Sequence, residues 1–138
     1  MNVIRRMHLV VAWAFVTGLL IQVFLAGLGV FENSSKFETH AGWGFMLGLF
    51  PLLLLILAGA GQLGQRQVLY AAGLFGMFIV QSMLVAFRSS APIVAALHPV
   101  NGFLLLLVAV AMAREAWKAR NAQAAPDAAR AAPDAAEA

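Results

Sequence analysis

From Met7 to Phe31 the chain carries no Lys, Arg, Asp or Glu, and three further uncharged runs follow at Thr39–Gln65, Gln67–Phe87 and Ser89–Ala113. The stretch Leu9–Val30 alone holds 22 residues. At 1.5 Å per residue it makes a helix of about 33 Å, enough to cross a hydrocarbon core of about 30 Å. Each of the other runs is also long enough for one crossing. The basic pair Arg5-Arg6 precedes an apolar run far longer than a signal-peptide core, so a retained helix is expected. Hydrophobic residues make up 62% of the 138-residue chain and charged residues 11%, against about 45–50% and about 25% in soluble domains. A soluble fold would have too little polar surface to cover such a core. With no cysteine, a disulfide scaffold and a thiolate metal site are excluded. The formal charge of +3 does not imply nucleic acid, because the basic residues never form a patch.

The expected fold is therefore all-α: a polytopic membrane protein with four transmembrane helices, about 7–31, 36–61, 67–87 and 91–119. An even number of spans puts both termini on one side. Arg5, Arg6, Arg66, Arg114, Lys118 and Arg120 fall on that side, and only Lys36 and Arg88 on the other. This bias predicts cytoplasmic termini in the plasma (inner) membrane. Trp13, Tyr70 and Trp117 lie near the expected inner boundary and Trp43 near the outer one, as in an aromatic belt. Ser35-Lys-Phe-Glu38 fits a capping box for the second helix, Ser90 is a candidate cap for the fourth, and Pro51 is expected to kink the second. Residues 121–138 repeat Ala-Ala-Pro-Asp-Ala-Ala and are expected to form a disordered cytoplasmic tail, the prolines breaking any alanine helix.

The second half of the membrane region resembles the first. His40-Ala-Gly-Trp-Gly44-Phe45 aligns with His98-Pro-Val-Asn-Gly102-Phe103 at an offset of 58, and Gln22-Val-Phe-Leu25 with Gln81-Ser-Met-Leu84 at 59. Two copies of one hairpin predict an up-down-up-down bundle, with the second and fourth helices on a diagonal. His40 and His98 then share a depth near the outer leaflet and reach inward from opposite sides. Such a pair suits the axial ligation of haem b. Gly44 and Gly102, one turn along, leave room for a flat macrocycle, and Lys36 and Arg88 on the outer rim are candidates to pair with its propionates. Gln22 and Gln81 must turn inward. They either bond between helices or contact the haem edge, a histidine or a quinone carbonyl. The competing reading takes His-x-x-x-Gly as close helix packing, with the histidines and glutamines as polar glue in a non-catalytic accessory subunit. A quinone or another metal is a third possibility. His8, beside Arg5 and Arg6, is expected at the headgroups, and Asn101 is a candidate to bond across helices. No Ser-His-Asp set, phosphate loop or HExxH motif is present, and the spans hold almost no ionisable pathway for transport. The expected surroundings are the lipid bilayer and, at the outer face, a quinol or redox partner.

This arrangement resembles one half of the haem A synthase family, whose members are built from two four-helix halves. The resemblance implies a haem embraced by His40 and His98, with Glu38 standing near the family's glutamate. The chain departs from that family in having a single half, a glutamate two rather than three residues before the histidine, and no cysteine pair. Phe37-Glu-Thr-His-Ala-Gly-Trp-Gly44 and Leu97-His-Pro-Val-Asn-Gly102 are also similar to a family of small bacterial four-helix membrane proteins of unknown function.

Overall fold

A computed structural model describes residues 3–131, all of whose regular structure is helical. Helix α1 spans Val3–Phe31; a 3₁₀ turn, Ser34–Lys36, leads into α2 (Phe37–Leu47) and α3 (Leu49–Ala60). Helix α4 spans Gln65–Ala86, and a short α5 (Pro92–Ala95) precedes α6 (Leu97–Ala131). These make four helical segments long and apolar enough to cross a membrane: Val3–Phe31, Ser34–Ala60, Gln65–Ala86 and Pro92–Ala122.

Proline sets the two interruptions. Pro51 has no N–H to offer the carbonyl of Leu47, and the chain breaks there, between α2 and α3 at Gly48, whose N–H turns to Phe45 O at 3.2 Å. The expected kink thus appears one turn before the proline. Pro99 likewise strips Ala95 of a partner, and the fourth segment breaks at Ala96, between α5 and α6. The helix starts differ from the sequence-based expectation. Asn33, not Ser35, caps the second segment, its Oδ1 accepting from Ser35 N at 2.9 Å. An Asn side chain two residues upstream of that N–H forms the tighter local ring, so the Ser35–Glu38 box does not form. Ala91 rather than Ser90 precedes α5, with Pro92 in its first turn as expected. A Schellman arrangement ends α3: Leu63 N–H bonds Ala58 O and Gln62 N–H bonds Gly59 O, both at 3.1 Å. Gly64 then takes φ +94°, a conformation side chains resist, and α4 begins.

At the other end α6 runs through Pro126 to Ala131, past the expected stop near 119. Alanine has the highest helix propensity, and extending an existing helix needs no new nucleus, so one proline costs a bond without ending it. The part of the expected tail beyond Ala131 lies outside the described residues.

Helix α1 packs on α2, α3 and α6, while α4 packs on α3 and α6. No backbone contact joins α1 to α4, or α2 and α3 to α6, among the described residues. The four segments thus form a ring with two open diagonals. Its centre is filled by Ala12, Phe15, Leu54, Ala58, Ala71, Leu74, Leu105, Ala109 and Met112, with Phe15 stacked on Phe50 at 5.9 Å. The alanines let helices approach closely where lipid tails supply no hydrophobic drive between them. Large side chains such as Phe24, Phe45, Leu49 and Phe103 face outward, a surface that acyl chains would cover.

Candidate functional site: two histidines across the bundle

His40 lies in the first turn of α2 and His98 at the start of α6. Both are half-buried, and their imidazoles meet across a diagonal whose backbones do not touch. The ring centroids are 6.2 Å apart with planes at 67°. Each ring is held by the helix before it. His40 Nδ1 lies 3.1 Å from the backbone oxygen of Gln22, and His98 Nδ1 lies 3.0 Å from that of Gln81. A carbonyl only accepts, so both Nδ1 atoms carry the proton and both Nε2 atoms present a lone pair. The Gln22 amide nitrogen donates to His40 Nε2 at 3.3 Å, and that of Gln81 to His98 Nε2 at 3.2 Å. Gln22 Nε2 also donates to the His40 carbonyl at 3.0 Å.

The two glycines explain how these amides fit. A Cβ on Gly44 would stand 2.7 Å from Gln22 Nε2, and one on Gly102 would stand 3.1 Å from Gln81 Nε2. Each glycine is a notch that receives a glutamine. Three residues after each histidine, a side-chain N–H crosses to the preceding helix. Trp43 Nε1 donates to Gly18 O and Asn101 Nδ2 to Met77 O, both at 3.0 Å. Besides the Gln22 bond to the His40 carbonyl, the sites differ in a second respect. Asn101 also donates to Gln81 Oε1 at 2.7 Å, whereas Gln22 Oε1 is buried without a partner.

The remaining sequence-based candidates are elsewhere. Lys36 pairs with Glu32 at 3.5 Å, and Arg88 is exposed in the turn after α4; neither contacts the histidines. An i,i+4 carboxylate is simply the nearer partner for Lys36. Trp43 is an interhelical donor rather than a belt residue, because its half-buried N–H needs the Gly18 carbonyl. His8, expected at the headgroups, is 1% exposed, packed inside the far end of the bundle. Sequence reasoning assigned Trp43 and Asn101 no shared role. Their equal spacing, three residues after each histidine, was the signal that could have found it. Among the described residues no three His, Cys, Asp or Glu side chains converge, so an all-protein metal cage is not formed.

No curated protein and no solved structure matches the chain. Residues 22–89, which include Gln22, His40, Gly44 and Gln81, match the model of DUF6220, a family of unknown function.

Proposed function

We propose that this is a multi-pass protein of the plasma membrane, with both termini cytoplasmic, that holds haem b between His40 and His98 near the outer leaflet and serves electron transfer or haem handling. The observation that carries the reading is the imidazole pair: two rings 6.2 Å apart, each fixed through Nδ1 and each with its Nε2 lone pair free of a proton. Two metal–nitrogen bonds of about 2 Å, plus roughly an ångström from each nitrogen to its ring centre, give about this separation. A ring oriented by an Nδ1–H to carbonyl bond is the usual support of a ligating histidine.

The surrounding groups fit a macrocycle on one condition. The amide ends of Gln22 and Gln81 lie in the Gly44 and Gly102 notches and must swing aside, which flexible side chains permit. The Gln22 oxygen, buried without a partner, would gain a donor by moving. In this reading the backbone oxygens of Gln22 and Gln81 hold the ring tautomers, the two glycines open the space, and the released amides face the ligand's edge. A bound haem would supply a one-electron couple, its potential set by its two imidazoles and by burial. The outer position of the pair favours exchange with a quinol or a redox partner on that side.

Two repeated hairpins in an up-down-up-down bundle underlie the proposal. Support comes from the paired distances above and from the core. Ala12 and Ala71, Phe15 and Leu74 are fully buried at an interval of 59, and Leu54 and Met112 at 58. Six basic residues against two support the orientation.

The test is an absorption spectrum of the full chain purified from haem-replete cells. A Soret band with a six-coordinate bis-histidine signature is expected. His40→Ala and His98→Ala should each abolish it, and added imidazole should restore it in part. A folded wild-type protein that is colourless and takes up no added haemin refutes the proposal. One observation favours the accessory-subunit reading: the glutamine amides already fill the notches. On that reading the same substitutions cause only small stability losses in a colourless protein.

A further inference from the structure

The end of the bundle opposite the histidine pair holds a second polar site. It does not depend on the haem reading. His8 on α1 is 1% exposed, and Gln67 on α4 is 8% exposed. Neither ring nitrogen of His8 has a hydrogen-bond partner, nor does Gln67 Oε1. Gln67 follows His8 by 59 residues, the interval that separates Gln22 from Gln81. Both side chains line a cavity of about 40 Å³ that Leu63, Arg5 and Arg120 also border. Arg120 lies over the Trp117 ring at 5.0 Å, so its guanidinium is held at the helix surface.

The orphaned groups specify what belongs there. A neutral imidazole offers one donor and one acceptor, and Gln67 Oε1 is an acceptor. An anion alone, which only accepts, would leave Gln67 Oε1 and one His8 nitrogen unsatisfied. A hydroxyl group both donates and accepts. At about 15 Å³ or more per water-sized group, the cavity takes two hydroxyls of a ligand whose remainder lies at its mouth, and it has no room for a phosphate. The two arginines at its border supply positive charge for a phosphate lying just outside, as basic pockets between transmembrane helices do for lipid headgroups.

We infer that this cavity binds a glycerol phosphoester, its free hydroxyls on His8 and Gln67 and its phosphate between Arg5 and Arg120. The full chain in detergent, examined by native mass spectrometry, tests this with equal amounts of phosphatidylglycerol, phosphatidylmethanol and phosphatidylcholine. Phosphatidylmethanol has the same charge without the hydroxyls. Phosphatidylglycerol should be retained about tenfold better than phosphatidylmethanol, the scale of one buried hydrogen bond. Gln67→Leu, close in size and apolar, should erase that preference while leaving phosphatidylmethanol retention unchanged. Arg5→Gln with Arg120→Gln should bring both anionic lipids down to phosphatidylcholine. Glycerol phosphate added without lipid assigns the source: retention by itself identifies a soluble ester, and retention of the diacyl form alone identifies a headgroup. Equal retention of phosphatidylglycerol and phosphatidylmethanol by the wild-type chain overturns the inference, as does an unchanged preference in folded Gln67→Leu.

Discussion

Replacing Gly44 by alanine tests the notch directly. The new Cβ would arrive 2.7 Å from Gln22 Nε2, closer than side chains tolerate, so the amide must leave. It then loses its bonds to the His40 carbonyl at 3.0 Å and to His40 Nε2 at 3.3 Å. Interhelical hydrogen bonds in membranes average about 0.6 kcal/mol and reach about 1.7, so two cost about 1–3 kcal/mol. Alanine also returns up to about 1 kcal/mol of helix propensity, which would mask part of the loss. Gly42 provides the correction. It lies two residues away in the same helix, and a Cβ there meets nothing within 4 Å. Gly42→Ala therefore reads the propensity gain alone. The difference between the two variants, measured by denaturant unfolding in micelles, should be about 1–3 kcal/mol, roughly 5- to 150-fold in the unfolding equilibrium. Gly102→Ala, with its Cβ at 3.1 Å, should fall between them. Gly44→Ala and Gly42→Ala of equal stability would refute the notch.

Leucine at both glutamines separates the two functional readings. The double Gln22→Leu, Gln81→Leu variant should lose about 1–3 kcal/mol of stability in the haem-free protein. Under the haem reading it still shows bis-histidine absorption, because the Nδ1 bonds come from backbone oxygens. Asn101→Leu should destabilise by about 1–2 kcal/mol in the same unfolding assay, since it removes donors to both Met77 O and Gln81 Oε1. Phe15→Ala should cost about 3 kcal/mol or more, because a fully buried ring stacked on Phe50 leaves a cavity. Glu115→Gln breaks pairs to Arg66 at 3.3 Å and Lys118 at 3.4 Å, yet at an exposed end should change stability by less than about 1 kcal/mol.

Charge-free runs made the four long apolar helices legible, because a chain built to sit in lipid has little choice but helices. The prolines located both breaks to within a turn. Alignment of His40 with His98 and Gln22 with Gln81 was enough to bring four polar side chains to one depth. What it did not contain was their division of labour. Whether a glycine admits a macrocycle or a glutamine depends on how closely neighbouring helices approach, which the local motif does not specify. For Lys36 and Arg88, sharing a rim with the histidines says nothing about partners: a local carboxylate, Glu32, pairs with Lys36, and Arg88 is exposed. His8 departs from the headgroup expectation because Arg5, three residues before it, shares its face and borders the same cavity, while the short imidazole is buried between the helices.

The two ends of the bundle follow one construction with different consequences. At the His40–His98 end every histidine nitrogen is engaged. The engagement comes in two grades: Nδ1 bonds a backbone oxygen that cannot move away, and Nε2 meets the tip of a flexible side chain. A competitor for Nε2 therefore displaces an amide worth about 1–2 kcal/mol without disturbing the ring's orientation. Each amide has a second hold: Gln81 has Asn101 at its Oε1, and Gln22 Nε2 bonds the His40 carbonyl. At the opposite end both His8 nitrogens and Gln67 Oε1 lack partners, so leaving them dry would cost the desolvation of those atoms. One end has a displaceable amide on each Nε2 and leaves only Gln22 Oε1 unpaired; the other leaves both His8 nitrogens and Gln67 Oε1 unpaired, so a group that donates and accepts would gain most there.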